Sequence, residues 1–138
     1  MHPTEVFLSH CGDDQAFATQ VRDCLAAHGI PVWYSRVNIV GAQQWHDEIG
    51  AALARCDAFV VVLSPAAVAS KWVKRELLFA LTADQYENAI VPLLHKPCDY
   101  AELSWTLPQF QVVDFSKDMH RGCRDLLRVW GVGYRTPA

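Results

Sequence analysis

Six consecutive apolar residues, "AFVVVL" at 58–63, constrain this chain more than any other stretch. The run is too short to cross a membrane as a helix, and its β-branched composition is that of a strand. A strand that is apolar on both sides has to be covered on both sides, which is the situation of an inner strand in a parallel sheet. Parallel strands require crossover connections, and the flanking sequence has the residues to build them as helices. "VFLS" (6–9) and residues 30–34, 89–94 and 111–115 read as four further strands. Between them, apolar residues recur at helical spacing. They are Phe17, Val21, Cys24 and Leu25 in the first such segment, and Ile49, Ala52, Leu53 and Cys56 in a second that starts near Trp45. Val73, Leu77, Ala80 and Leu81 follow Ser64-Pro65, and Met119, Cys123, Leu126, Leu127 and Trp130 close the series. Asp13 or Asp14 is placed to cap the first helix, and glycines at 29 and 131 stand where the first and last helices stop.

Five strands alternating with helices predict an α/β fold. The expected form is a flavodoxin-like, doubly wound, five-stranded parallel sheet of strand order 2-1-3-4-5, with helices on both faces and residues 1–138 in a single domain. A chain of 138 residues has room for one sizeable core. A net charge of −3 offers no basic surface for nucleic acid. No apolar run approaches the roughly 20 residues of a membrane span. The Met-His-Pro-Thr-Glu start lacks the basic and apolar regions of a secretory signal. Five scattered cysteines without a CxxC argue against a disulfide framework and for a reducing, cytoplasmic setting.

Folds of this kind hold their ligands beyond the carboxyl ends of the strands, at the switch point between strands one and three. Those ends carry "SHCGDD" (9–14) and "SPAAVASKW" (64–72). Several chemistries are excluded by missing residues. Strand three ends in Leu63-Ser64-Pro65, without the Asp of a phospho-accepting receiver. The position six after Cys11 is Phe17, not the Arg of a small tyrosine phosphatase. No GxGxxG, GxxxxGK[ST] or GxSxG occurs. Ser9-His10-Cys11-Gly12 is a poor match to a hydroxyl-rich flavin loop. His95-x-x-Cys98 and His120-x-x-Cys123 lack the paired, closely spaced ligands of a structural zinc site, so no metal is expected. What remains is Glu76 in "SKWVKREL" (70–77), four residues after Trp72 and on the same helix flank. Its carboxylate either faces solvent beside Lys71, Lys74 and Arg75 or points into the crevice. The residues alone leave both open.

Four segments in order add a resemblance. "VFLSHCGDD", "NIVGAQQW", "FVVVLSP" with "SKWVKREL", and "FQVVDF" together resemble a TIR (Toll/interleukin-1 receptor) domain of bacterial type, over essentially the whole chain from Val6. Members of that family either act as non-catalytic assembly modules or cleave NAD⁺ at the nicotinamide–ribose bond. In the cleaving members the glutamate of a WxxxE motif is catalytic, and it corresponds to Glu76. The resemblance therefore implies an NAD⁺ glycohydrolase in bacterial defence or signalling, releasing nicotinamide and ADP-ribose or a cyclic isomer. NAD⁺ would be its substrate, with no cofactor. Ser9 and His10 match pocket-lining positions, and Trp72, Trp45 and Trp33 are candidates for an aromatic wall against the nicotinamide. Arg36, Asn38, Ile39, Val40 and Gly41 fall in the family's BB loop, which implies self-association and an active site completed by a neighbouring copy. Ser35-Arg36 stands where many enzymatic members carry an acidic residue. A sensor domain or partner protein as trigger is a further implication. The alternatives are an interaction module without activity and an effector that binds host TIR adaptors.

Overall fold

The computed structural model describes residues 2–34 and 42–136, with backbone only over 42–46. The strands are β1 (Val6–Ser9), β2 (Val32–Trp33), β3 (Ala58–Leu63), β4 (Ile90–Leu94) and β5 (Val113–Asp114). The helices are α1 (Gln15–Ala27), α2 (Ala42–Arg55), α3 (Pro65–Val68), α4 (Lys71–Thr82) and α5 (Met119–Val129). All strand pairs are parallel, in the order β2-β1-β3-β4-β5. Every residue of β3 is buried. Its side chains alternate between two separate cores, as the period-two geometry of a strand demands.

Val60 and Val62 join Val6, Leu8, Leu93 and the inward residues of α1 and α5 on one face. Phe59, Val61 and Leu63 join Phe7 and the inward residues of α2 and α4 on the other. The second face carries an aromatic array in which Phe7 stacks on Phe59 at 5.5 Å and on Trp33 at 5.1 Å.

Two strands are shorter than the apolar pattern predicts, each for a local reason. At β2, the Ile30 amide is already used, donating to the Leu25 carbonyl at 3.0 Å where α1 closes. Gly29, at φ +79°, makes that turn. Pro31 then has no amide to offer. At β4, Phe59 N bonds Ala89 O and His95 N bonds Leu63 O, so the odd-numbered residues face β3. Phe115 N bonds Leu94 O, so the even-numbered ones face β5. Pro92 is therefore a missing donor on the β5 side, and β5 is limited to the rungs Leu93↔Val113 and Leu94↔Asp114.

The helix expected after Ser64-Pro65 is two helices. Ser64 caps α3 by accepting from Ala67 N at 3.0 Å, and Ser70 caps α4 by accepting from Val73 N at 3.2 Å. A serine that captures a backbone amide starts a new helix rather than continuing the old one. Asp14 precedes α1 but makes no capping bond. Its carboxylate has a tertiary partner instead.

Candidate functional site

Ser9 is the last residue of β1 and shares the orientation of Phe7, two residues earlier, toward the face covered by α4. On α4, Val73, Leu77 and Ala80 are buried against that face. Glu76 lies between them in the helical order and is drawn inside with them, at 7% exposure. The two side chains meet. Ser9 Oγ donates to Glu76 Oε1 at 2.7 Å, a contact between residues 67 apart in sequence. Among the described residues no donor reaches the second carboxylate oxygen.

Burial pushes the Glu76 carboxyl up to about 7, and the Ser9 hydrogen bond opposes that shift. Desolvation disfavours the ionised form, while a donor to the carboxylate favours it. The solvated, lysine-paired reading of Glu76 does not describe this geometry. Lys71, Lys74 and Arg75 are all on the exposed side of α4, and Glu76 makes no ion pair among the described residues.

The other residues singled out from the sequence are dispersed. His10 follows Ser9 and takes the opposite orientation, its ring 5.6 Å from Tyr34, a residue of the other core. His10 is buried, and its Nδ1 has no hydrogen-bond partner among the described residues. Burial lowers the imidazole below the ordinary histidine range against opposing contributions from the Leu8 backbone, Gln15 and Asp14. Trp33 has one ring face against Phe7 and packs on the α4-side core. Trp72 lies one turn from Glu76 but at the rim, 38% exposed, with the Arg75 guanidinium 5.4 Å from its ring centre. The side chain of Trp45 falls outside the described residues, as do Arg36, Asn38, Ile39, Val40 and Gly41 altogether.

A group the sequence reading did not assemble lies along the same carboxyl edge of the sheet. Ser64, at the end of β3, donates from Oγ to Asp14 Oδ2 at 2.5 Å while capping α3. His95, just past β4, has Nε2 3.9 Å from Asp14 Oδ1 and stacks on Phe17 at 4.0 Å. Its imidazole is lowered by burial, with Asp14 opposing and Lys96 adding to the effect. The available signal was positional: Ser64 and His95 directly follow strands, and Asp14 ends the loop that leads from β1 to α1. Ser64 Oγ donates to one residue and accepts from another, so this group braces the edge. Asp14→Ala is expected to cost about 2 kcal/mol by stranding the buried hydroxyl. Urea titration would show a lower midpoint at unchanged slope.

The model of the family described as TIR domain matches residues 6–127, most of the chain. The chain belongs to the TIR-domain family. Solved structures agree on the fold. The TIR domain of the Toll-related receptor TRR-2 from Hydra magnipapillata is 19% identical with a TM-score of 0.72, over 89% of this chain and 94% of that one. The TIR domains in the activated Roq1 resistosome that recognises the pathogen effector XopQ are 18% identical with a TM-score of 0.68, over 91% and 98% of the two chains. No match was found among the curated proteins. In this TIR domain no helix among the described residues is long and apolar enough to cross a membrane. Nor does any group of three or more His, Cys, Asp or Glu side chains come together to hold a metal ion there.

Proposed function

We propose that this TIR domain cleaves NAD⁺ at the nicotinamide–ribose bond, with Glu76 as the catalytic carboxylate. The reading rests on one observation: a glutamate almost withdrawn from solvent, bonded by one oxygen to Ser9 at the carboxyl edge of the sheet. Nicotinamide leaves as a neutral molecule from a cationic ring, so the leaving group needs no acid. The chemical demand falls on the ribose, where positive charge develops as the glycosidic bond breaks. A carboxylate held in an apolar setting with one free oxygen can accept from the ribose hydroxyls and stabilise that charge. Water then adds to the anomeric carbon, giving ADP-ribose, nicotinamide and a proton; attack by an adenine nitrogen gives a cyclic isomer instead.

In this reading Trp72 and Trp45 flank the nicotinamide, and residues 36–41 of a neighbouring copy close the site. The TIR domains of the Roq1 resistosome belong to an assembly, and we extend that arrangement to this chain. A bacterial defence or signalling role that consumes NAD⁺ in the cytoplasm follows. The exposed Trp72, Leu78 and Phe79 on α4 favour a second reading, an interaction module without activity.

The test is nicotinamide release from NAD⁺ by concentrated protein, measured from about pH 5.5 to about pH 8.5. Release is expected to rise with pH as Glu76 ionises, with kcat/KM at half its plateau near pH 7. Ser9→Ala removes the one group holding the carboxyl down, so its profile should move to higher pH, with activity at neutral pH down about tenfold. No release at any concentration from folded protein would favour the interaction module. A Ser9→Ala profile superimposable on wild type would remove Ser9 from the mechanism.

A further inference from the structure

On the face of the sheet opposite α4, helices α1 and α5 pack against each other. A cavity of about 520 Å³ opens between them, lined by Cys24 of α1 and His28 just after it, Met119 and Cys123 of α5, and Tyr134 of the C-terminal segment. Nothing in the NAD⁺ reading uses it. Two histidines hold the segment over the cavity. Arg135 N donates to His28 Nε2 at 2.9 Å, and His28 Nδ1 lies 2.7 Å from the Cys24 carbonyl. His120 Nδ1 pairs with the Tyr134 hydroxyl at 2.5 Å, and the Tyr134 ring stacks on His28.

Sulfur collects at this seam. Cys123 is buried, and its thiol donates toward Met119 Sδ at 3.7 Å. Cys24, half-buried, lines the same cavity from the other helix and packs against the core to which Cys123 belongs. We propose that Cys24 and Cys123 are a redox-active dithiol, oxidised by a small hydroperoxide entering the cavity to a disulfide that staples α1 to α5. The Cys24 thiolate attacks the peroxide, the O–O bond breaks, and Cys24 becomes a sulfenic acid with release of an alcohol, or of water from hydrogen peroxide. The Cys123 thiol displaces the sulfenic oxygen as water and forms the S–S bond. Two thiols lose two electrons, and the peroxide takes them.

The roles are assigned by environment. Cys24 is the more exposed of the two and opens on the cavity, where a small oxidant can reach its sulfur. Its partner Cys123 is shifted upward, first by Cys24 and then by burial. The more exposed sulfur is thus the one a peroxide meets first, and the buried one resolves the intermediate. Cys56 provides the contrast: it packs in the other core, with burial pushing its thiol up to about 12.

The experiment uses reduced wild-type protein treated with hydrogen peroxide, then alkylated, denatured and mapped as peptides without reduction. The expected result is a loss of two of the five free thiols, a single Cys24–Cys123 cross-linked peptide, and full recovery with dithiothreitol. In Cys123→Ser, dimedone should trap a sulfenic acid on Cys24. Persistence of all five thiols, or a first disulfide that involves Cys11, Cys56 or Cys98 or that joins two chains, would overturn the proposal. Because the wild-type map decides, misfolding of a variant does not obscure the answer.

Discussion

Glu76→Gln is expected to lower nicotinamide release by about a thousandfold or more while making the fold more stable at alkaline pH. The two effects have one cause. Glutamine keeps the shape of the side chain and an oxygen for the Ser9 hydroxyl at 2.7 Å, and removes only the charge. The charge is what a developing oxocarbenium ion needs, and it is also what burial penalises. With its folded value raised to about 7 from 4.5, the carboxyl binds more protons folded than unfolded between those values. Its contribution is fully favourable below about pH 4.5 and is lost as the pH rises through about 7. Above that, the ionised side chain weakens the fold by roughly 3 kcal/mol. The variant should therefore melt several degrees above wild type at about pH 8 and close to it at about pH 4. Paired nicotinamide-release and thermal-melting measurements read both arms. Retained cleavage would end the catalytic assignment, and a variant less stable at alkaline pH would contradict the burial argument.

Gly122→Val is expected to destabilise the fold by about 2–3 kcal/mol, although valine has the better helix propensity. Gly122 sits inside α5, where glycine ordinarily weakens a helix. Here the Phe115 ring lies where a Cβ would be: from that point its Cγ is only 2.5 Å away and its Cε2 2.7 Å. The ring cannot move aside easily, because it is buried and packs edge-on against Phe17 at 5.4 Å. Even Gly122→Ala should lose stability, reversing the usual sign for a helical glycine. Adding Phe115→Leu to Gly122→Val should recover part of the loss, so the two changes will not add. Urea midpoints of the two single variants and the double variant check this. A Gly122→Ala protein more stable than wild type would show that α5 is not seated this closely.

Apolar periodicity alone determined the sheet, its all-parallel pairing and the division of residues between two cores. A strand greasy on both sides admits few arrangements, and right-handed crossovers select among those. The helix faces were legible for the same reason: Val73, Leu77 and Ala80 are inside because each is apolar and correctly spaced. Strand lengths were not, since β2 and β5 are trimmed by where an amide is spent or missing, at Ile30 and Pro92. The carboxylate itself could be singled out, but its charge and partner could not. Only the tertiary structure decided that Glu76 is buried, that Ser9 and not His10 reaches it, that Asp14 braces Ser64 rather than capping α1, and that Cys24 and Cys123 line one cavity. Each of these joins residues tens of positions apart, at a distance set by strand register and helix seating. The energy of a polar contact changes with a few tenths of an ångström and with the water left around it, and neither is written in the spacing of a single chain.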